Sequence, residues 1–421
     1  MSLELTDADC ALLDGKGGLA KQTAMSIVVQ MAEVQGASGL LEITQAHIDA
    51  TVYVGDAGLE FAEWLAAQGA KVAVPSTLNV GALDEHHWRE WAVPPEWAAK
   101  ALRQMQAYES MGTTPTWTCA PYQTSHRPKF GEHIAWGESN AISFANSVIG
   151  ARTERYADMF DICCALTGRA PAAGLHLTAN RAGRLLLRLV AVPHELQRDD
   201  SFFTVLGYVM GRTVGNRIPV VEGMLAEPDE DQLKALAATA ASSGGVSMFH
   251  VIGVTPEAPT HEAAFHGRHP EKTLEITMDE LRRARSELTS TEGTHLDMVV
   301  LGSPHLSIGE IKRLLPMVEG KRAHSEVQFL VTTSRAVAHL AERSGAMERL
   351  RAFGAKVTVD TCILTTPMLP EDVRVLMTNA GKFAYYSPGL LSREVVFGGM
   401  DDCVRSAIAG RVVVEDRLWQ K

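Results

Sequence analysis

The chain has 421 residues, of which 46% are hydrophobic and 21% are charged, so it can bury a core large enough for more than one lobe. That balance excludes an intrinsically disordered protein. Lys and Arg total 39 against 50 Asp and Glu, giving a net charge of −11 with no basic run, which argues against nucleic acid as a partner.

No apolar stretch predicts a membrane span. The most apolar run, residues 185–193, is interrupted by Arg188 and is far shorter than the roughly 20 residues that a spanning helix needs. The N-terminal segment carries acidic residues where a secretory signal would carry Lys or Arg. We therefore expect a cytoplasmic chain with no membrane partner, whose 6 cysteines stay reduced.

Apolar runs rich in Val and Ile alternate with segments of helical periodicity. The runs predict strands at 51–54, 71–75, 185–192, 246–254, 296–301, 327–332 and 356–359. The segments with apolar residues three or four apart predict helices at 59–68, 139–149, 229–242, 278–289, 307–318 and 335–344. This alternation is typical of α/β lobes with mostly parallel sheets.

A Pro- and His-rich stretch at 255–270 has no periodicity and predicts a linker or a surface loop. The segment after it repeats the strand–helix–strand pattern of a separate unit. We therefore expect N-terminal and central α/β lobes over residues 1–270 and a C-terminal α/β lobe over residues 271–421.

Polar side chains follow three of the predicted strands. In open parallel sheets, sites form at the carboxyl ends of strands, where the chain turns into the next helix. The candidates are Ser76, Thr77 and Asn79 after the strand 71–75, Ser303 and His305 after 296–301, and Cys362 after 356–359. Hydroxyls, a thiol and an imidazole at neighbouring strand ends predict a site there.

The cysteines are candidate ligands for a soft metal, although lone cysteines are also common core residues. Cys119 lies in a Pro-flanked loop, where a cysteine has little packing reason, and Cys362 ends a predicted strand. Neither belongs to a CxxC pair, so a metal cluster has to be assembled from loops that are distant in sequence. Cys163 and Cys164 lie on a predicted helix, so at most one of them faces any given site, and both are compatible with core packing.

Three further places carry candidate polar contacts. His47 and Asp49, two apart on an extended segment, project to the same side, which suits a shared proton or a substrate contact; a hydrogen-bonded, half-buried His is equally compatible. Lys382 is either a solvated Lys or a carboxylate-binding one. The segment around the predicted helix 139–149 is too polar for a fully packed helix, which suggests a lined cavity whose polar residues are Glu138, Ser139 and Asn146.

A series of segments, in this order and over nearly the whole chain, resembles the catalytic large subunit of the aconitase X family. The segments are AMSIVV, AHIDA, VYVGDAGLEFAEWLAAQGAKVAVPSTLNVG, TCAPYQ, FGEHIAWGESNAISFANSVIGARTERY, LTGRAPAAGLHL, GRTVGNRIPVVEG, LGSPHLSIGE, DTCIL and KFAYYSPGL. The resemblance implies aconitase-like three-layer α/β/α lobes and a dehydratase in which an iron or iron–sulfur centre acts as Lewis acid.

The same resemblance implies a substrate and a partner. Family members dehydrate cis-3-hydroxy-L-proline or mevalonate 5-phosphate, and they use a small swivel domain, fused or separate, that by likeness to aconitases carries a serine base. The sequence ends at Lys421 without that domain. We therefore expect a small swivel-domain subunit as partner.

Matched residue by residue, the family's metal loops fall on Cys119 and Cys362. A third loop that resembles GCPH in archaeal relatives reads GSPH at 302–305 here. We therefore expect Cys163, on a different element, to supply the third thiolate of a small cluster, with 2Fe–2S favoured and mononuclear iron as the alternative.

The expected reaction removes water from cis-3-hydroxy-L-proline and gives Δ1-pyrroline-2-carboxylate. Ser76, Thr77 and Asn79 with Lys382 are the candidates for binding the substrate carboxylate, and His47 for a polar contact or for protonating the leaving hydroxyl. The hydroxyl-rich, modestly charged loops favour an amino acid over the phosphate ester, which needs converging cations. An iron or redox sensor that uses the same cysteines is the alternative from another class.

Overall fold

The computed structural model describes residues 3–420, which form three lobes. Short strands and the helices between them build the first lobe. Its elements in chain order are α1 (Asp7–Leu13), α2 (Leu19–Val34), β1 (Leu40–Glu42), β2 (Ala46–Ile48), α3 (Asp56–Ala67), β3 (Ser76–Leu78), α4 (Pro95–Ser110), β4 (Ala135–Trp136), α5 (Ser139–Phe144), α6 (Phe160–Thr167) and β5 (Arg169–Pro171). One π-helical turn, Ala145–Ile149, continues α5. The strands form a parallel sheet in the order β3-β2-β4 and an antiparallel ribbon, β1-β5.

Two strands predicted for this lobe are wrong in position. Residues 51–54 form a turn and residues 71–75 are irregular, whereas the strands run just beside them, over β2 and β3. Both observed strands are buried at every position and pair in register, Ala46 with Ser76 and Ile48 with Leu78. Burial and pairing therefore decide the strand positions here, against the β-branched residues at 51–54.

The second lobe is a four-stranded parallel sheet with its crossover helices. Its elements are β6 (Leu185–Leu189), α7 (Asp200–Val214), β7 (Pro219–Glu222), α8 (Glu230–Gly244), β8 (His250–Val251), α9 (His261–Ala264), β9 (Lys272–Ile276) and α10 (Met278–Glu287). The sheet order is β8-β7-β6-β9. Because β9 pairs with β6 along its whole length, from Leu185 opposite Lys272 to Leu189 opposite Ile276, the boundary expected at residue 270 falls inside this lobe, and the segment 271–287 belongs with the second sheet.

The third lobe is a five-stranded parallel sheet in the order β12-β11-β10-β13-β14. Its elements are β10 (Met298–Leu306), α11 (Ile308–Val318), β11 (Gln328–Thr333), α12 (Arg335–Arg343), α13 (Ala346–Phe353), β12 (Ala355–Val359), β13 (Val375–Thr378), α14 (Gly381–Leu390), β14 (Glu394–Phe397) and α15 (Met400–Ala409). The prediction of an α/β chain with mostly parallel sheets is confirmed. Among residues 3–420, no helix combines the length and the apolar composition that crossing a bilayer requires.

Capping boxes explain where three of the predicted helices begin. At each start, a side-chain oxygen of the first residue accepts from the backbone N–H three residues on, and the residue there returns a side-chain contact. The pairs are Asp229 with Gln232 before α8, Thr277 with Glu280 before α10, and Ser307 with Glu310 before α11. Local sequence therefore favours these helix starts.

The two faces of the third sheet pack against different partners, because successive side chains of a strand point to opposite faces. In β10, Val299 and Leu301 join the core formed with the helices of the same lobe. Met298 and Val300 join a second core that includes Leu59 of α3 and residues of α4. The first lobe therefore covers one face of the third sheet.

Gly302 interrupts the regular pairing of β10, whose register shifts between Leu301 and Leu306. Its φ is +109°, and a β-carbon there would lie 2.1 Å from the carbonyl oxygen of Thr332. Gly293 has a similar φ of +102° but open space around it, so it is a matched control. We expect Gly293→Ala to lower the free energy of unfolding by about 1–3 kcal/mol through backbone strain, and Gly302→Ala to lower it further through the clash. Chemical denaturation measures both, and equal losses would contradict a clash at Gly302.

Candidate active site

One cavity, of about 240 Å³, collects most of the strand-end residues singled out in the sequence. It lies where the carboxyl ends of β2, β3 and β4 in the first lobe meet the irregular part of β10, the end of β12 and the start of α14 in the third lobe. The polar and thiol residues that line it are Asp49, Asn79, Cys119, Glu138, Ser139, Asp158, Ser303, His305, Thr332, Thr361, Cys362, Thr365 and Lys382. The strand-end rule thus locates the cavity correctly.

Two thiols from different lobes line this cavity. Cys119 accepts a hydrogen bond at Sγ from the backbone N–H of His305 at 3.3 Å, and its own carbonyl accepts from Asn140 Nδ2 at 2.9 Å. Burial, together with the charge of Glu138, raises the pKa of the Cys119 thiol to about 12. Burial also raises the pKa of Cys362. Both groups are therefore neutral thiols unless a cation such as a metal ion displaces their protons.

Cys163, the predicted third thiolate, is not among the residues that line the cavity. It lies on α6 with no exposed surface, inside the apolar core of the first lobe, and Cys164 is buried in the same core. Burial raises the pKa of the Cys163 thiol to about 12. In residues 3–420 no three His, Cys, Asp or Glu side chains are grouped so that they could hold a metal ion. The structure therefore brings two of the three predicted ligands to one place.

Lys382 and Glu138 form an ion pair in the cavity wall. Glu138 is the N-cap of α5, where Oε2 accepts from the backbone N–H of Ala141 at 2.8 Å, and Oε1 accepts from Lys382 Nζ at 2.5 Å. Burial lowers the pKa of Lys382, but the nearby charge of Glu138 and its hydrogen bond to Lys382 more than offset this, so the pKa stays above its ordinary value. The ammonium is therefore charged and faces the cavity, which excludes the solvated-Lys interpretation.

The GSPH loop places Ser303 and His305 in the cavity wall, as predicted. His305 Nε2 donates to the carbonyl oxygen of Thr361 at 2.9 Å, so Nδ1 is left to accept from Thr118 Oγ1 at 3.3 Å. Burial lowers the pKa of His305 to about 4, which keeps the ring neutral. Beneath the loop, the buried Lys234 donates to the carbonyl oxygen of His305 at 3.2 Å. This loop is held by its own hydrogen bonds before any ligand arrives.

Three residues predicted for the site lie behind the cavity wall instead of lining it. Ser76 and Thr77 were predicted to bind the substrate carboxylate, and His47 to make a polar contact or to protonate the leaving hydroxyl. Ser76 and Thr77 are the first two residues of β3, and both are buried. Thr77 Oγ1 bonds to His47 Nδ1 at 2.8 Å, and Ser76 Oγ donates to the carbonyl oxygen of Val74 at 2.9 Å. Burial lowers the pKa of His47 to about 3, so its ring is neutral and is a poor acid. Of the residues predicted to bind the substrate carboxylate, Asn79 and Lys382 line the cavity.

Asn146 also has a structural role instead of the predicted contact with substrate. It lies in the π-helical turn, fully buried, and donates to the carbonyl oxygens of Thr153 at 2.9 Å and Ser247 at 3.0 Å. Its Oδ1 accepts from Arg181 Nη1 at 3.1 Å. The density of polar residues around α5 therefore has two causes, since Glu138 and Ser139 line the cavity while Asn146 stabilises an irregular turn.

Asp158 and an apolar wall were not predicted as part of the site, and Asp49 was considered only together with His47. Asp49 and Asp158 line the cavity, and Asp49 does so although His47, two residues earlier, does not. The available signal was the position of Asp49 directly after a strand, which the misplaced strand at 51–54 concealed. The apolar wall carries no comparable sequence signal and consists of Val52, Val54, Val80, Ile363, Leu364, Phe383, Tyr386 and Leu390.

Parallel sheets with a polar, thiol-bearing cavity at their carboxyl ends define an α/β enzyme that acts on a small molecule. Models described as the first, second and third domains of aconitase X match residues 2–179, 183–286 and 296–409, which are also the three lobes of the fold. The chain belongs to the aconitase X family. Membership of this family implies an iron-containing catalytic centre.

Similar proteins fall into two groups. The chain is 47% identical to a cis-3-hydroxy-L-proline dehydratase of Pseudomonas aeruginosa, over 96% of this chain and 70% of that protein, and 44% identical to one of Hypocrea jecorina, over 97% and 69%. It is 35% identical to the phosphomevalonate dehydratase large subunit of Methanosarcina mazei, over 97% and 98%. The crystal structure of Thermococcus kodakaraensis aconitase X in its holo-form superposes with a TM-score of 0.86 at 31% identity, covering 96% of this chain and 100% of that chain.

Proposed function

We propose that the chain is the catalytic part of a hydro-lyase that removes water from cis-3-hydroxy-L-proline and gives Δ1-pyrroline-2-carboxylate. The observation that carries this choice is the charge of the cavity. Lys382 is the one Lys or Arg that lines it within residues 3–420, and it faces the acidic residues Asp49, Glu138 and Asp158. A zwitterion has one group for each sign, whereas a phosphate ester with its own carboxylate would bring about three negative charges to a single cation.

The substrate carboxylate is the group that we assign to Lys382. As the Cα proton leaves, negative charge moves onto that carboxylate, so an ammonium fixed beside it stabilises the transition state more than the ground state. Glu138 holds the ammonium in place, and Asn79, Ser139 and Ser303 offer further hydrogen bonds from the same wall. The neutral His305 fixes the loop that carries Ser303.

The thiols fit an iron centre in part. Cys119 and Cys362 are soft donors that line the same cavity, and we propose them as its thiolate ligands. When bound, iron supplies positive charge that stabilises the negative charge on a departing oxygen. Because Cys163 lies in the core, the predicted set of three cysteines does not fit, and a cluster that needs all three is not proposed.

A small swivel-domain subunit that carries a serine base is the partner that we propose. Relatives named phosphomevalonate dehydratase are large subunits, and the chain covers 94–99% of their lengths. Around the cavity, Val54 is 77% exposed and Leu390 is 59% exposed. We take these two exposed apolar side chains beside the cavity as part of the surface that the small subunit covers.

Turnover by the anaerobically purified protein, with and without the small subunit, tests this function. With the small subunit we expect Δ1-pyrroline-2-carboxylate, identified by mass spectrometry, from cis-3-hydroxy-L-proline. The matched control is cis-4-hydroxy-L-proline, whose hydroxyl is bonded to Cγ instead of Cβ. Loss of the Cα proton cannot expel it, so no product is expected. Faster dehydration of mevalonate 5-phosphate would replace our assignment with the runner-up. Iron binding without turnover of either compound would favour a sensor.

A further inference from the structure

Asp49 is held in one position in the wall of the cavity. Its backbone N–H donates to Asp161 Oδ2 at 2.5 Å, and its side-chain Oδ1 accepts from Asn79 Nδ2. The backbone of Gly137 packs against this pair so closely that a β-carbon there would lie 2.5 Å from Asp161 Oδ2 and 2.7 Å from Asp49 Cβ. With Oδ1 engaged by Asn79, Oδ2 is the oxygen that is available to carry a proton.

The groups that face Asp49 favour its protonated form. They are Glu138 at the start of α5, Asp158 and Asp161 in the segment that leads into α6, and Lys382 at the start of α14. Burial and the three negative charges raise the pKa of Asp49 well above its ordinary value, and the single ammonium of Lys382 opposes them. A carboxyl in this setting favours its protonated form, which can donate a proton.

The neighbouring candidates for an acid are less suitable. Both oxygens of Glu138 already accept hydrogen bonds, one from Lys382 and the other from the backbone N–H of Ala141. Asp158 is exposed to solvent. His47 is neutral and lies behind the wall. Among the acidic residues that line the cavity, Asp49 is thus the one held as a proton donor.

We propose that Asp49 is the catalytic acid of the dehydration, an assignment that rests on the proposed function. The base on the small subunit removes the Cα proton, and the electron pair of that C–H bond forms the Cα–Cβ double bond. The Cβ–O bond breaks with its electron pair on oxygen, which takes the proton from Asp49 Oδ2 and leaves as water. The Asp49 carboxylate then regains a proton from solvent, and the base releases its proton to solvent. The enamine that is formed loses the proton on nitrogen and gains one at Cβ, which gives Δ1-pyrroline-2-carboxylate.

A substrate whose leaving group needs no proton tests this assignment. In the enzyme with its small subunit, Asp49→Asn is expected to lower kcat for cis-3-hydroxy-L-proline by about 100-fold or more. Elimination of fluoride from cis-3-fluoro-L-proline, which gives the same organic product, is expected to change by less than about fivefold, because fluoride leaves as an anion. Iron content and the Kd for L-proline, which lacks the leaving group, are expected to match those of wild type.

Equal losses of kcat on the two substrates would overturn the assignment, and so would a weaker Kd for L-proline, which would instead mark Asp49 as a contact for the substrate amine. If Asp49→Asn does not fold, the solvent deuterium isotope effect on wild-type kcat decides: it must be larger for the hydroxy substrate than for the fluoro substrate. Failure of the proposed function is a separate result, since wild type would then not dehydrate the hydroxy substrate at all.

Discussion

Replacing Cys119 or Cys362 by serine is expected to remove the bound iron and to lower turnover by about 100-fold or more. The two thiols line one cavity from different lobes, and serine keeps nearly the same volume while removing the soft donor. A metal that stabilises charge in the transition state contributes several kcal/mol, and each 1.36 kcal/mol is tenfold in rate. Iron analysis and visible absorption of anaerobically prepared protein report the loss separately from activity.

Cys163→Ala is the matched control for these variants. Cys163 is packed in the core of the first lobe and does not line the cavity, so we expect this variant to lose stability and to keep its iron. Loss of iron from Cys163→Ala to the same extent as from Cys119→Ser would restore the three-cysteine cluster expected from the sequence. Iron retained by Cys119→Ser would contradict the metal assignment.

Lys382→Met is expected to lower kcat/KM for the hydroxy amino acid by about 100-fold or more, because the group that stabilises the substrate carboxylate in the transition state is lost. The same change leaves Glu138 unpaired in the cavity wall, and breaking a buried ion pair in this way costs about 3–5 kcal/mol of folding free energy. Steady-state kinetics and chemical denaturation measure the two effects.

The double variant Lys382→Met/Glu138→Gln separates the effect on catalysis from the effect on folding. Removing both charges is expected to recover most of the lost stability, since no uncompensated charge stays in the wall. Activity is expected to stay low, because the ammonium is still absent. If the double variant regained activity along with stability, Lys382 would have only a structural role.

Local sequence predicts most of the second and third lobes well. The starts of α8, α10 and α11 coincide with capping boxes, whose paired residues are three apart in the chain. Strand β10 begins with the apolar run 298–301, which is buried at every position and is typical of a parallel strand. The first lobe is predicted less well. Its strands β2 and β3 have three residues each, and pairing with neighbours decides their positions.

That difference explains which site residues were predicted. The structure brings eight predicted residues to the cavity. Six were predicted from strand ends or the start of a helix: Asn79, Glu138, Ser139, Ser303, His305 and Cys362. Cys119 was predicted from its Pro-flanked loop, and Lys382 as a candidate carboxylate-binding residue. The strands β2 and β3 lie a few residues away from their predicted positions, and this changes which of their residues reach the cavity. His47 and Thr77 are buried within the strands, whereas Asp49 lines the cavity. Helix α6, which carries Cys163, shows a second limit of prediction from sequence. Periodicity alone does not say whether the buried face of a helix meets a cavity or a core.

The apolar layer shared by α3, α4 and one face of the third sheet has a consequence for dissecting the protein. If the chain were cut between the second and third lobes, Met298, Val300 and their neighbours would be exposed to water in one fragment. Leu59 would be exposed to water in the other fragment. Each half would also hold a single cysteine of the pair that meets at the cavity. Neither fragment is therefore a self-sufficient module, and gene fusions or truncations that keep the chemistry have to retain all three lobes in one piece.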